Sequence, residues 1–214
     1  MAELRTEEEQ IQAIKDWWKR NGSSLLIGIG AALAIVFGWQ GWQNHQAQQR
    51  AEAAKEFANL LNAASAGDDQ ETVSFVAQTL RNDYTDSAYA IYGNLVLARQ
   101  QMMVSDDPEA AIESLDWALS QASDYPALTN VIRNRLARAQ LAAGNHDAAL
   151  ATVDQAGASD AFGPIFSELR GDIQLAKGDR DAARQAYLQA REQGGQNSSI
   201  LELKLSDLGV GGDA

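Results

Sequence analysis

The chain has 214 residues, no cysteine, two histidines and a formal net charge of −12. Without cysteine it has no disulfide, thiol nucleophile or Cys-ligated zinc, and two isolated histidines argue against a metal site or a Ser-His-Asp triad. Nucleic-acid binding needs clustered Lys and Arg against phosphate, so this acidic balance argues against a nucleic-acid partner. We therefore expect no enzyme activity, no cofactor and no small-molecule substrate.

The first 22 residues predict a short amphipathic helix. Thr6 and Glu9 have the spacing of a capping box, and Asn21-Gly22 is typical of a helix end. The apolar side chains of this segment recur at helical spacing: Ile11, Ile14 and Trp18. We interpret residues 1–22 as a cytoplasmic amphipathic tail, which either lies at the membrane interface or docks a partner.

Residues 25–42 read LLIGIGAALAIVFGWQGW, and no Asp, Glu, Lys or Arg occurs from 21 to 49. As a helix, this run spans about 27 Å, close to the roughly 30 Å hydrocarbon core of a bilayer. A tryptophan pair flanks each end: Trp17 and Trp18 before it, Trp39 and Trp42 at its close. We expect residues 23–43 to be a transmembrane anchor in the lipid bilayer.

Two alternatives to an anchor are a buried helix of a soluble protein and a cleaved signal peptide. A signal peptide has an apolar region of about 7–15 residues after a short basic start. Here the start is long, it contains Glu7, Glu8 and Glu9, and the apolar run is longer. These features favour an uncleaved anchor.

The basic residues around the span predict its orientation. Four precede it closely, and the nearest two after it stand further off: Arg5, Lys15, Lys19 and Arg20, then Arg50 and Lys55. Because basic flanks stay in the cytoplasm, we expect a cytoplasmic N-terminus and a translocated domain from 44 to 214. Gly30, Ala34 and Gly38 form a stripe that is either a packing site for another membrane helix or a chance result of composition.

The remaining chain contains a repeat with an offset of 34 residues. NRLARAQLAAGNHDAALATVDQA from Asn134 aligns without gaps to ELRGDIQLAKGDRDAARQAYLQA from Glu168. The alignment pairs small or apolar positions: Ala137 with Gly171, Gly144 with Gly178, Ala149 with Ala183, Val153 with Tyr187, and Ala156 with Ala190. This is the period of tetratricopeptide repeats, in which each unit is a helix pair.

Further copies of the repeat are degenerate. One runs through Ala98, Ala111, Ile112, Leu115, Ala118 and Leu119, and a weaker one through Gly67, Thr72, Val76 and Leu80. Gln140 and Gln174 stand where the repeat usually has Tyr. We predict an all-α protein with three to four repeats between about 51 and 193. Leucines of a terminal helix should cover the last unit: Leu201, Leu203, Leu205 and Leu208.

In such a solenoid, the first helix of each pair lines a concave groove that could bind a peptide. The predicted lining is Tyr92, Leu95, Arg99 and Met102 from one unit, Asn134, Arg138 and Leu141 from the next, and Glu168, Asp172 and Leu175 from the last. Alternatively, several of these side chains pack inside the solenoid. A clamp for a C-terminal carboxylate is disfavoured, because Glu168 and Asp172 would repel it.

The order of an amphipathic tail, one span and degenerate repeats resembles the ancillary subunit of the bacterial Sec translocon, the YfgM-like family. The resemblance is clearest in QAIKDWWKRNG, LVLARQQMMVSDDPEAAIESLDWAL, VIRNRLARAQLAAGNHDAALATVD and LRGDIQLAKGDRDAARQAY. It implies a single-pass inner-membrane protein with a periplasmic repeat domain. The implied partners are the SecYEG translocon and a membrane-anchored periplasmic chaperone related to peptidyl-prolyl isomerases.

Two functions are consistent with the sequence. One is a non-catalytic accessory factor that links translocation to periplasmic chaperones through the tail, the small-residue stripe and the groove. The other is a membrane-anchored scaffold or regulator in envelope assembly or stress signalling, with a cytoplasmic partner at Ile11, Ile14 or Trp18.

Overall fold

A computed structural model describes residues 7–66, 70–156, 161–194 and 199–209, and every regular element within these ranges is an α-helix. The helices are α1 (Glu7–Ala66), α2 (Gln70–Asp83), α3 (Ala88–Met103), α4 (Pro108–Gln121), α5 (Pro126–Ala142), α6 (His146–Asp154), α7 (Gly163–Ala176), α8 (Arg180–Glu192) and α9 (Ser199–Asp207). The all-α prediction is confirmed. Thr6, the predicted N-cap, lies outside the described residues.

Contacts between residues divide the chain into two units, 1–51 and 52–214. In the first unit, the predicted helix end at Asn21-Gly22 is wrong, since α1 continues through it. The Asn21 side chain donates from Nδ2 to the Trp17 carbonyl oxygen at 3.1 Å, so it supports the helix. The Trp18 ring lies against Gly22, only 3.3 Å from where a Cβ would stand. A helical glycine costs about 1 kcal/mol, too little to end a helix that continues on both sides.

The first unit contains one stretch of helix that is long and apolar enough to cross a membrane. Only 6 % of its 18-residue apolar window is buried, as expected for a lipid-facing helix and unlike a soluble core helix. Trp39 and Trp42 close the apolar run, with ring centroids 5.1 Å apart. The boundaries at 23, 43 and 44 remain predictions.

The second unit is built from helix pairs that pack in chain order. The last part of α1 packs with α2 and α3 around Leu60 and Leu80. The following pairs are α3 with α4, α5 with α6 and α7 with α8, and α9 packs against α8. Each helix therefore buries its apolar face mainly against its neighbours in sequence, which is the architecture of an α-solenoid. The prediction of degenerate tetratricopeptide-like repeats is confirmed.

The small residues of the repeat lie where helices approach closely. Gly171 of α7 faces the Tyr187 ring of α8, and a Cβ on this glycine would stand 2.3 Å from two ring carbons. Ala137 and Val153 hold the equivalent positions one repeat earlier, and both are buried. Gly144 and Gly178 have φ angles of 78° and 87°, so these turns adopt the left-handed conformation that favours glycine.

Two details of this pattern were not predicted from the sequence: the left-handed residue of one turn and the hydrogen-bond partner of Gln140. Asp106, with φ 52°, takes the left-handed position in the turn between α3 and α4, a conformation that Asp tolerates better than most residues. Gln140 fills the position usual for Tyr, and its Oε1 accepts a buried hydrogen bond from Thr152 Oγ1 at 2.8 Å. A polar pair therefore replaces an aromatic contact between α5 and α6.

Of the predicted positions of the weaker first copy that lie on α2, Leu80 is buried and the other two are not. Val73, Ala77 and Leu80 are the buried residues of α2. Thr72 is exposed and Val76 is only half-buried. Gly67 lies outside the described residues.

Candidate partner-binding cleft

Capping interactions fix the starts of the helices around the cleft. The Ser87 side chain accepts from the Tyr89 backbone N–H at the start of α3. Asp107 Oδ1 accepts from the Ala110 N–H at 3.0 Å, and Pro108 occupies the first turn of α4. Pro126 likewise begins α5, where its missing N–H costs nothing. Side-chain caps therefore define where α3 and α4 begin, and a proline defines where α5 begins.

A cleft of about 240 Å³ lies where these three helices meet. Its lining comprises apolar and basic side chains: Ala98, Arg99, Met102, Met103, Leu115, Arg135 and Arg138. Ala98 and Leu115 are almost fully buried and form its base, whereas the three arginines are exposed. The cleft therefore combines an apolar base with a cationic rim, a combination suited to a ligand that carries both apolar and anionic groups.

Three residues of the predicted groove meet in this cleft: Arg99, Met102 and Arg138. The side chain of Asn134 supports one of them, because its Oδ1 accepts from Arg138 Nε at 3.2 Å. Tyr92 stands apart, and its ring centroid lies 6.1 Å from that of Phe57. Leu141 packs against the core that α5, α6 and α7 share.

The structure differs from the expectation at Leu95. This side chain is 6 % exposed and belongs to the core formed with α4 and α5, so a partner cannot reach it. Helical spacing placed Leu95 on the same face as Arg99, but Leu95 lies in the core that α3 shares with α4 and α5. Sequence reasoning also missed Arg135 and Met103. The arginine spacing of Arg135 and Arg138, three residues apart on one helix, was the available signal.

Two predicted groove residues of the last repeat form an ion cluster with α9. Lys204 Nζ lies 2.7 Å from Glu168 Oε1 and 2.6 Å from Asp172 Oδ1. The Tyr187 hydroxyl donates to Asp172 Oδ1 at 2.9 Å. Burial and this hydrogen bond to a carboxylate raise the pKa of the Tyr187 phenol. Within the described residues, Glu168 and Asp172 therefore hold α9 against the last repeat. Leu175 of the same helix is exposed.

Helix α9 covers the last repeat as predicted. Leu201, Leu205 and Leu208 are buried against Ala183, Tyr187 and Ala190 of α8. Arg184 donates from Nη2 to the Leu208 carbonyl oxygen at 2.9 Å, which fixes the end of α9. The expectation for Leu203 is wrong, because this side chain is 62 % exposed on the opposite face of α9.

The small-residue stripe in the first unit faces open space. A Cβ added at Gly30 or Gly38 would meet no atom within 4 Å, and Ala34 is exposed. The role of the stripe in packing another membrane helix remains a prediction.

The fold defines a class: a helical repeat protein whose described residues include one candidate membrane helix near the N-terminus. The family model described as "Tetratricopeptide repeat-like domain" matches residues 15–210. Similar proteins cover nearly the whole chain. One from Haemophilus influenzae is 34% identical over 97% of this chain and 100% of its own length. One from Escherichia coli is 30% identical over 95% of this chain and 97% of its own length.

A third relative, from Aggregatibacter actinomycetemcomitans, is 32% identical over 97% of this chain and 100% of its own length. All three relatives are named "Ancillary SecYEG translocon subunit". The chain belongs to this family of tetratricopeptide repeat-like proteins. No solved structure matches the chain significantly.

Proposed function

We propose that the chain is a non-catalytic accessory subunit of the Sec translocon and that it links protein translocation to periplasmic chaperones. The observation that carries this proposal is similarity over the full length, including the tail and the apolar helix as well as the repeats. The repeat architecture supports it, since solenoids act as binding scaffolds. The chaperone link comes from the family resemblance, and the cleft is its proposed contact surface.

The proposed topology is a single span in the inner membrane with a cytoplasmic N-terminus and a periplasmic repeat domain. The basic residues before the span support this orientation. The chain has no cysteine, so single-cysteine variants report position without background. We expect Glu109→Cys, and not Gln12→Cys, to react with a membrane-impermeant maleimide on intact spheroplasts. Both side chains are exposed, so burial does not confuse the comparison.

The functional test is co-purification of the tagged full-length protein from membranes in mild detergent, with quantitative mass spectrometry. An unrelated tagged single-span protein at equal abundance is the control. Enrichment of SecYEG together with a membrane-anchored periplasmic chaperone supports the proposal. SecYEG without a chaperone removes the chaperone link. Absence of SecYEG refutes the accessory role.

One observation favours the alternative of a scaffold or regulator with a cytoplasmic partner. Ile11, Ile14 and Trp18 are all more than half exposed on α1, so they are accessible to a partner. Recovery of a cytoplasmic regulator that is lost with Ile14→Glu, in the absence of SecYEG, would favour this alternative.

A further inference from the structure

The arginines of the cleft differ from five other basic side chains of the repeat domain in their lack of a carboxylate partner. These five of the nine basic side chains outside the cleft pair with carboxylates: Arg170 with Asp154, Lys177 with Asp147, Arg184 with Asp181, Arg191 with Glu202, and Lys204 with Glu168 and Asp172. Across the described part of the chain, no carboxylate pairs with Arg99, Arg135 or Arg138. The domain thus leaves three guanidinium groups unneutralised around one cleft.

This lack of pairing is notable in so acidic a domain. Residues 52–214 contain 12 basic and 24 acidic side chains, a formal charge of −12. Acidic groups are therefore twice as numerous, yet none pairs with these arginines in the described residues. Guanidinium groups bind carboxylates through two parallel hydrogen bonds, so the rim is equipped for an external anion.

The base of the same cleft is apolar. Ala98 and Leu115 close it below, and Met102 packs half-buried beside them. Met103 is 76 % exposed at its edge. Methionine side chains are flexible and polarizable, so they adapt to apolar groups of different shape. A purely ionic ligand would leave this surface unused.

We propose that the cleft binds a protein segment in which acidic side chains flank an apolar one. The apolar side chain lies on Met102, Met103 and Leu115, and the carboxylates pair with Arg99, Arg135 and Arg138. The inference rests on the proposed function, in which the domain acts by binding another protein. An anionic lipid headgroup carries the same sign of charge as the acidic segment, so the experiment tests lipid as the competing occupant. The cleft is small, so the contact is transient.

The experiment measures binding of a fluorescein-labelled synthetic peptide by fluorescence anisotropy. The peptide carries a central Leu-Met pair flanked on both sides by Glu, and the protein is full-length in nanodiscs of zwitterionic lipid. We expect saturable binding that weakens with salt, and Kd about ten-fold higher for a peptide with Lys in place of Glu.

Matched variants locate the binding site. Arg135→Glu should raise Kd about ten-fold, because it removes a charge-assisted contact and adds a repulsive charge. Lys55→Glu makes the same change in charge at an exposed residue that does not line the cleft, and should leave Kd within two-fold. Met103→Ser should raise Kd about five-fold without affecting the fold, since this side chain is exposed.

Equal binding of the acidic and basic peptides, or equal effects of Arg135→Glu and Lys55→Glu, overturns the inference. Binding to phosphatidylglycerol vesicles that competes with the peptide and is lost with Arg135→Glu also overturns it, in favour of lipid. Co-purification with SecYEG is measured separately. Retained SecYEG without peptide binding refutes this inference alone, and peptide binding without SecYEG refutes only the proposed function.

Discussion

Replacing Gly171 by Ala tests the closest helix approach in the solenoid. The added Cβ would stand 2.3 Å from Cδ1 and Cε1 of Tyr187 and 2.9 Å from Cζ. The ring cannot move aside easily, because it is fully buried and its hydroxyl is bonded to Asp172. Overpacking of this kind costs about 1–3 kcal/mol, and Ala regains about 1 kcal/mol of helix propensity. With the upper end of the overpacking cost, we expect a net loss of about 2 kcal/mol.

The preceding repeat provides the compensating change. In that repeat, Ala137 takes the place of Gly171 and Val153 takes the place of Tyr187. The larger residue on the first helix is thus matched by a smaller residue on the second. Tyr187→Val alone leaves a cavity and should cost about 3 kcal/mol. In the double variant the new methyl group fills part of this cavity. We expect the combined loss to fall short of the sum of the single losses by about 1–2 kcal/mol.

The assay is urea unfolding of the detergent-solubilised full-length protein, followed by far-UV circular dichroism. Gly93→Ala is a graded control, because its Cβ would meet the flexible end of Leu80 at 2.8 Å and not a fixed ring. Its loss should be smaller than that of Gly171→Ala. A gain in stability from Gly171→Ala, or additivity of the two changes within about 0.5 kcal/mol, would refute the reasoning.

Three further predictions concern the repeat domain. Lys204→Gln leaves two adjacent carboxylates of α7 without their cation, so it should destabilise the domain by about 1–3 kcal/mol and speed amide hydrogen exchange in α9. Gly178→Ala should cost about 1 kcal/mol by the same urea assay, because φ is 87°, and Gly178→Asn should cost less. The hydrogen bond and charge of Lys177 lower the pKa of Asp147, so this carboxylate contributes stability above its ordinary pKa that is lost as the pH falls through the lowered value. An NMR titration should show the Asp147 pKa rising toward its ordinary value in Lys177→Gln, and an unchanged pKa would contradict the assignment.

The features predicted correctly from the sequence share one property: each is encoded by a local sequence pattern. Gly171, Tyr187 and the turn at Gly178 follow from aligning two segments of the chain, because each repeat places the same residue types at the same helical positions. The apolar run of α1 is likewise a local signal, which length and hydropathy suffice to recognise. Fold class could therefore be predicted well.

The predictions failed where contacts between residues distant in sequence determine whether a side chain is buried or exposed. Leu95 shares a helix face with Arg99, but Leu95 is buried in the core with α4 and α5 and Arg99 is exposed. The same difficulty applies to Lys204, whose partners Glu168 and Asp172 lie more than thirty residues away. Asn21 and Gly22 show the converse, since a local helix-end signal is overridden by the helix on both sides. Which residues of a periodic face stay accessible depends on helix packing that the period does not encode.

The distribution of charge along the solenoid follows from the same packing. At the C-terminal end, two carboxylates of α7 pair with Lys204 from within the chain, and α9 closes this end. In the middle, α3 and α5 present three arginines for which the described residues supply no carboxylate. Because an unpaired guanidinium beside an apolar surface gains most from an external carboxylate, we propose the middle repeats as the docking site. Arg135→Glu should therefore weaken peptide binding and leave stability unchanged, whereas Lys204→Gln should lower stability and leave peptide binding unchanged.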